Sequence, residues 1–216
     1  MMITRQKLES RKKDGTICDG FLVKSCVIAC NLGLIPTGMM KFLKFFLGGI
    51  AVVFVLVFVV SLFLPKSYLL ERSIEIDAPA NNIFPLIGEL RNWPEWSPWY
   101  AMDPDMKITY GDTTTGLGGN YSWEGEKSGT GSMTITNYDP PSKVAFTMTF
   151  KGWEDSPSLA SFSLIPSDSA TKVTWDFRGE FVGNPIQRYF GLMFDKLVGG
   201  EYEKGLGKLK ELVEAE

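Results

Sequence analysis

Histidine is absent from this 216-residue chain, and cysteine occurs only at Cys18, Cys26 and Cys30. Without histidine the chain lacks the commonest general base and metal ligand at neutral pH. Beyond Cys30 it also has no thiol that could form a disulfide, attack a substrate or bind a metal. We therefore predict no catalytic residue, no metal site and no cofactor.

Basic residues are scarce in the C-terminal part of the chain. Residues 1–64 hold eight lysines and arginines against three acidic residues, whereas residues 65–216 hold 14 basic and 22 acidic residues. The second part therefore carries a net charge of −8, and it offers no basic patch to neutralise nucleic-acid phosphates. We predict that the protein does not bind nucleic acid.

One apolar run dominates the sequence. Residues 45–64 form twenty consecutive residues without a charge, preceded by Lys41 and Lys44 and followed by Lys66. As a helix this run is about 30 Å long, the thickness of the bilayer's hydrocarbon core. A cleaved signal peptide would be shorter and would end in small residues, but bulky residues precede Pro65. We therefore predict a single-pass anchor that contacts the lipid bilayer through residues 45–64.

The charges beside this run predict its orientation. Lys41 and Lys44 lie directly before the run, and excess positive charge stays on the cytoplasmic side of a membrane. We therefore expect the anchor in the cytoplasmic (inner) membrane and the C-terminal domain on its outer side, which is the periplasm in a bacterium with two membranes.

Three segments follow from these observations. Residues 1–40 lack a sustained helical or strand period and are predicted to be a poorly structured extension. Since two methionines, Met39 and Met40, immediately precede the anchor, translation starting there is a further hypothesis. Residues 41–65 are the predicted anchor, and residues 66–216 have the size of one soluble domain.

The periodicity of residues 66–216 predicts an α+β domain. Residues 68–76 alternate as a strand, and residues 81–90 have the apolar spacing of a short helix. Alternation then indicates six strands, each with one polar face, over residues 106–110, 119–125, 129–138, 143–151, 158–166 and 171–180. In the last of these, Asp176 and Arg178 share the polar face, where we expect a surface ion pair.

A long helix is predicted at the C-terminus, starting at Asn184 and Pro185, which are typical of a helix start. It contains five glycines, and each costs up to about 1 kcal/mol relative to alanine. A break near Gly199 and Gly200, combined with close packing on the sheet, would explain them. A helix that hinges open to admit a ligand is the alternative.

Six motifs in this order resemble the START-like superfamily, also called SRPBCC, and in particular its polyketide cyclase/dehydrase branch. The similarity extends over about residues 68–214. The motifs are Ile76-Asp77-Ala78-Pro79, Trp93-Pro94-Glu95-Trp96-Ser97-Pro98-Trp99, Tyr121-Ser122-Trp123-Glu124-Gly125, Gly129-Thr130-Gly131-Ser132-Met133, Thr171-Lys172-Val173-Thr174-Trp175 and Gly205-Leu206-Gly207-Lys208-Leu209-Lys210.

The resemblance implies a helix-grip fold, in which a curved antiparallel sheet wraps around the long C-terminal helix and encloses a deep apolar cavity. Aromatic and methionine side chains suit an adaptable apolar pocket. The candidate pocket residues are Trp93, Trp96, Trp99, Trp123, Phe146, Met148, Phe150, Phe162, Trp175, Phe177, Met193, Phe194 and Leu197. Each could instead pack only against its neighbours in a filled core.

A short loop that contains prolines carries three tryptophans, Trp93, Trp96 and Trp99, which is an unusual amount of aromatic surface for a loop. These tryptophans could form the rim of the pocket or lie at the lipid interface, where tryptophan is favoured. Alternatively, they could plug the open end of the sheet.

The resulting functional hypothesis is a membrane-tethered domain that binds a hydrophobic small molecule or lipid in its cavity. One alternative is an envelope interaction or stress protein without a ligand, whose protein partner the sequence does not indicate. A cyclase- or dehydratase-type enzyme is the other alternative. Its acid and base would have to be carboxylates such as Glu124, Glu126 or Asp176, with Tyr121 or Arg178 as partner.

Overall fold

A computed structural model describes residues 37–152, 157–182 and 184–215. The described residues divide into two compact units, with the boundary between residues 55 and 56. Residues 1–36 of the predicted extension (residues 1–40), with all three cysteines, lie outside the described residues.

The apolar run forms helix α1, Thr37–Phe63. Within the described residues, one helical stretch, Met40–Phe63, is long enough and apolar enough to cross a membrane. The helix begins before the predicted run because the residues around Lys41 and Lys44 are also compatible with helix. Its apolar side chains are exposed nearly throughout the described part, as expected for a helix whose whole surface suits lipid.

Seven strands of the described residues form one antiparallel sheet in the order β1-β7-β6-β5-β4-β3-β2. Their bounds are β1 Ser67–Ile76, β2 Lys107–Tyr110, β3 Asn120–Gly125, β4 Gly129–Asp139, β5 Lys143–Phe150, β6 Ser158–Pro166 and β7 Thr171–Glu180. Six of these form a consecutive meander, and β7 pairs with β1 at the far side. The predicted strands are therefore confirmed to within a residue or two at each end.

The alternation of each strand decides which face is buried. In β7, Val173, Trp175 and Phe177 are buried, whereas Lys172 and Arg178 are exposed. Arg178 Nε lies 4.0 Å from an oxygen of Asp176, so the predicted surface pair forms at the limit of ion-pair distance. The carboxylate of Asp176 also accepts a hydrogen bond from Ser161 Oγ.

A short helical region covers one end of the buried face. It consists of helix α2, Ala80–Gly88, a 3₁₀ helix, Leu90–Glu95, and helix α3, Pro98–Met102. Trp93 and Trp96 of this region are buried in the core. The indole N–H of Trp93 donates to the carbonyl of Ile87 at 2.9 Å, and that of Trp96 donates to the carbonyl of Leu86 at 2.8 Å. These bonds satisfy two carbonyls near the end of α2.

The C-terminal element begins with a 3₁₀ turn, Pro185–Gln187, capped by the side chain of Asn184, and continues as helix α4, Arg188–Glu214. The predicted break near Gly199 and Gly200 is wrong, because α4 runs through both residues. Close packing accounts for Gly199 instead. A Cβ atom at this position would lie 2.3 Å from a guanidinium nitrogen of Arg72.

Arg72 links β1 to α4. Its Nη2 lies 2.8 Å from Asp195 Oδ1, and its Nε lies 2.8 Å from Glu203 Oε1. Both carboxylates are on α4, one on each side of Gly199. The guanidinium therefore lies flat against the helix where the missing side chain leaves room.

Candidate functional site

A cavity of about 410 Å³ lies between the buried face of the sheet, helix α4 and the α3 region. This volume falls in the range of small-molecule sites, about 300–1,000 Å³. The walls are mainly aromatic and methionine side chains, and eight of the thirteen predicted pocket residues line it. These are Trp93, Trp99, Trp123, Met148, Phe150, Trp175, Phe177 and Phe194.

Three other predicted residues are buried but do not line the cavity: Trp96, Phe146 and Phe162. They lie at the end of the sheet that the 3₁₀ helix covers. Trp93 meets Phe146 edge to face with ring centroids 5.4 Å apart, and Trp96 meets Phe162 at 5.8 Å. Trp93 and Trp96 thus plug this end of the sheet. Trp93 also lines the cavity, as does the half-buried Trp99.

The structure corrects the placement of the last two predicted residues, Met193 and Leu197. Each is 54% exposed and lies outside the cavity wall. The reason is helical phase, because Phe194, Val198 and Tyr202 follow one another at four-residue spacing and line the cavity instead. Met193 and Leu197 lie one position earlier in each turn and therefore point outward.

Sequence reasoning also missed a ring of tyrosines in the wall, Tyr68, Tyr100, Tyr121 and Tyr202. For two of them, a pattern in the sequence could have predicted a place in the wall. Tyr121 has the same strand parity as Trp123, and Tyr202 lies eight residues after Phe194 on the same helix face. Tyr202 also packs on Trp175, with ring centroids 4.0 Å apart, and so joins α4 to the sheet.

The tyrosine hydroxyls remain protonated at neutral pH. Burial raises the pKa of Tyr202 well above its ordinary value, and the charge of Asp176 raises it further. Burial likewise raises the pKa values of Tyr100 and Tyr121. These groups can therefore donate hydrogen bonds to a bound molecule, but they cannot act as bases.

One buried polar atom of the wall has no hydrogen-bond partner among the described residues, Trp175 Nε1. A buried polar group without a partner costs roughly 1–3 kcal/mol. By contrast, the Tyr68 hydroxyl lies 2.8 Å from Ser158 Oγ and is satisfied. Trp175 Nε1 is thus a donor that the described residues leave unsatisfied.

The turn between β3 and β4 forms one border of the cavity. Lys127 and Ser128 of this turn line it, together with Gly129 and Thr130 at the start of β4 and Lys151 just after β5. Asp103 holds the turn in place, because its Oδ2 accepts the backbone N–H groups of Lys127 and Ser128 at 3.0 Å. The N–H and hydroxyl of Ser128 lower the pKa of Asp103.

Carboxylates are missing from this wall. Among the described residues that line the cavity, none is an aspartate or glutamate, and the two charged residues are both lysines. The described part of the chain likewise contains no group of three or more side chains suited to holding a metal ion. The carboxylates considered for catalysis, Glu124, Glu126 and Asp176, all lie outside the described wall.

The fold and the cavity together define a class of protein, an α+β helix-grip domain with an aromatic internal cavity. A sequence model of the family described as "Polyketide cyclase / dehydrase and lipid transport" matches residues 69–214, most of the soluble domain. The chain belongs to this family. No curated protein matches the sequence.

Three solved structures are similar to the chain, and the first of them supports the fold assignment. A solution structure from Thermobifida fusca is similar with a TM-score of 0.50 and 18% identity, over 67% of this chain and 92% of that one. Protein Ms6760 from Mycobacterium smegmatis has a TM-score of 0.46 and 20% identity, over 68% of this chain and 91% of that one. Protein CV1439 from Chromobacterium violaceum has a TM-score of 0.46 and 16% identity, over 69% and 98% of the two chains.

Proposed function

We propose that this protein binds a hydrophobic small molecule or lipid in the cavity of its helix-grip domain while helix α1 tethers it to a membrane. The observation that carries the proposal is the cavity itself, about 410 Å³ with a wall of aromatic and methionine side chains. Protein interiors are normally packed without voids of this size. A domain that leaves such a volume open in its apolar core is suited to hold an apolar molecule there.

The polar groups of the wall support the same function. Burial keeps the hydroxyls of Tyr121 and Tyr202 protonated, so they can donate hydrogen bonds to a ligand. A mainly apolar wall with a few polar groups is typical of a small-molecule site.

The tether and its orientation are part of the proposal. The length and composition of Met40–Phe63 support a membrane span, and Lys41 and Lys44 at its start favour a cytoplasmic N-terminus. The binding domain would then lie outside the cytoplasm, on the outer face of the inner membrane. Its cavity would exchange ligands with that membrane or with the surrounding compartment.

Catalysis is not part of the proposed function. A cyclase or dehydratase needs an acid or base that reaches the ligand, and no carboxylate lines the described wall. The wall tyrosines are held in their protonated form by burial. Their arrangement supports binding and orientation of a ligand without proton abstraction.

Tryptophan fluorescence tests the binding function directly, because Trp93, Trp99, Trp123 and Trp175 line the cavity. The full chain in neutral phosphatidylcholine nanodiscs would be titrated with ω-bromododecanol, whose bromine quenches tryptophans that it contacts. We expect saturable quenching. The variant Ala160→Phe, which adds a ring to a buried wall residue, should reduce it several-fold.

The matched control is Leu159→Phe, since Leu159 precedes Ala160 in β6 but is 42% exposed on the other face. This variant should quench as the parent does. Quenching that is linear with probe concentration, and equal in all three chains, would reflect partition into the bilayer and would contradict the proposal.

An interaction protein without a ligand is the second candidate. Exposed apolar side chains favour it, namely Ile186 in the 3₁₀ turn before α4 and Phe190 and Leu192 at the start of α4. Exposed apolar patches of this kind mark contact surfaces. An empty cavity in the quenching experiment together with a stoichiometric protein partner would favour this function.

A further inference from the structure

The charged residues of the cavity wall all have the same sign. Lys127 and Lys151 line the cavity, and no aspartate or glutamate does so among the described residues. This contrasts with residues 65–216 as a whole, where acidic residues outnumber basic ones by eight. The two lysines therefore form a local positive site at the edge of an apolar cavity in an otherwise acidic domain.

Lys127 is held at this edge by its own turn. The backbone N–H groups of Lys127 and Ser128 donate to Asp103 Oδ2, each at 3.0 Å, and Ser128 Oγ donates to the same oxygen at 2.8 Å. These three bonds fix the turn between β3 and β4. The Lys127 ammonium itself donates to the carbonyl of Met102 at 3.2 Å, and Met102 is also a wall residue. An ammonium has three donors, so two remain for a ligand.

Lys151 lies on the strand end beside the same turn. Its backbone N–H donates to the carbonyl of Thr130 at 2.9 Å, which places it directly across from the start of β4. Its ammonium makes no ion pair or hydrogen bond within the described part of the chain. Lys151 is exposed, and its charge is free to meet an anion at the cavity border.

The nearby carboxylates do not occupy this site. Asp103 directs Oδ2 to the turn, where three donors use it. Glu124 has the opposite strand parity to the wall residue Trp123 and lies across from Lys107 on β2. Glu126 is exposed in the turn, and neither glutamate lines the cavity.

We propose that the ligand is an amphiphile with an anionic head group, a carboxylate or a phosphate monoester, bound by Lys127 and Lys151. Its alkyl chain lies in the cavity against Trp123, Met148 and Phe150, which belong to the strands beside the two lysines. This inference rests on the proposed function and narrows it. A purely neutral, apolar ligand would make no ion pair with either ammonium group.

Three probes with the same tail and different heads test the inference: ω-bromododecanoate, ω-bromododecyl phosphate and ω-bromododecanol. Each would be titrated into the full chain in neutral phosphatidylcholine nanodiscs, with tryptophan quenching as the signal. The test variant is Lys127→Gln/Lys151→Gln. The control variant Lys143→Gln/Lys172→Gln removes the same charge from two exposed lysines outside the cavity wall.

We expect the test variant to raise the half-saturation concentration of at least one anionic probe about tenfold, as two screened ion contacts would. The dodecanol titration should stay unchanged in the test variant, and the control variant should change none of the three. Whichever anionic probe loses more affinity identifies the head group, carboxylate or phosphate. High ionic strength should weaken binding of the anionic probes to the parent chain and leave dodecanol unaffected.

Three results would overturn the inference, and each has a different meaning. If dodecanol quenches in a way that Ala160→Phe abolishes, but the two lysines affect no probe, the binding function stands and the anionic class is wrong. If no probe gives saturable quenching in any chain, the binding function itself fails. A loss of all three probes in the test variant alone would indicate a damaged cavity, and would also contradict a specific role for charge.

Discussion

Helix α4 packs closely against Pro98 and Trp175 at Gly205, and replacement of this glycine by alanine tests that packing. A Cβ atom at position 205 would lie 2.8 Å from Pro98 Cδ and 3.1 Å from Trp175 Cζ3. Pro98 begins α3 and Trp175 lines the cavity. Two residues further along the same helix, a Cβ atom at position 207 would meet no atom within 4 Å.

The two variants Gly205→Ala and Gly207→Ala share one contribution and differ in another. Alanine in a helix interior is favoured over glycine by about 1 kcal/mol, and this gain applies to both. Crowding against Pro98 and Trp175 costs about 1–3 kcal/mol, and this cost applies only to position 205. Gly207→Ala should therefore stabilise the domain by up to about 1 kcal/mol, whereas Gly205→Ala should be neutral or destabilising by up to about 2 kcal/mol.

Thermal unfolding of the full chain in nanodiscs, followed by tryptophan fluorescence, measures the difference. For a domain of this size, each kcal/mol shifts Tm by about 2–4 °C, so the two variants should differ by roughly 2–12 °C, with Gly207→Ala the more stable. Because Trp175 must move to admit the new methyl group, Gly205→Ala should also change the emission spectrum of the folded protein. Equal stabilisation by both variants would refute the close approach of α4 to the wall.

Three further predictions concern charges and the anchor. Arg72→Met removes both contacts to carboxylates of α4. Since these ion pairs are largely exposed, the free energy of unfolding should fall by about 1 kcal/mol or less, and by a smaller amount in high salt. The change in Tm measures this loss. Hydrogen bonds from Ser128 and Lys127 lower the pKa of Asp103 in the folded state, so its contribution to stability is complete above the ordinary aspartate pKa and is lost as the pH falls through the lowered value. A pH series of melting curves should show that Asp103→Asn flattens this acid-side loss, and an unchanged acid-side slope would contradict the prediction. Deletion of residues 45–64 should move the protein from the carbonate-resistant membrane pellet to the soluble fraction, and retention in the pellet would contradict anchoring by this run.

The strands and the fold could be predicted from the sequence, because apolar residues of the buried face alternate regularly with polar residues of the other face. In β7, the alternation of Val173, Trp175 and Phe177 with polar residues predicted both the strand and its inward side. The C-terminal helix was predicted from its apolar spacing and from Asn184 at its start. These signals are local, and each depends only on residues two to four positions apart.

The residues of the candidate site could be predicted only in part, because a cavity depends on distances between residues that are far apart in the sequence. Sheet parity placed Met148 and Phe177 on the inward face correctly. It could not show that Trp93 and Trp96 would cover Phe146 and Phe162 on the same face. On α4, a shift of one residue in helical phase separates the exposed Met193 from the wall residue Phe194.

The glycines of α4 show why composition alone misleads. A pair such as Gly199 and Gly200 suggests a helix break when only local propensity is considered. In the fold, the space left by Gly199 admits the Arg72 guanidinium, which pairs with carboxylates on either side of it. The contact partner is more than a hundred residues away in the sequence, so no pattern within the helix indicates it.

The central claim is that the cavity holds a molecule, and native mass spectrometry of the full chain released from membranes tests it most directly. We expect a discrete added mass on the parent protein, identifiable after organic extraction, that is absent from Ala160→Phe and retained by Leu159→Phe. A parent protein that carries no such mass, and that acquires none when supplied with ω-bromododecanoate, ω-bromododecyl phosphate or ω-bromododecanol, would contradict the claim.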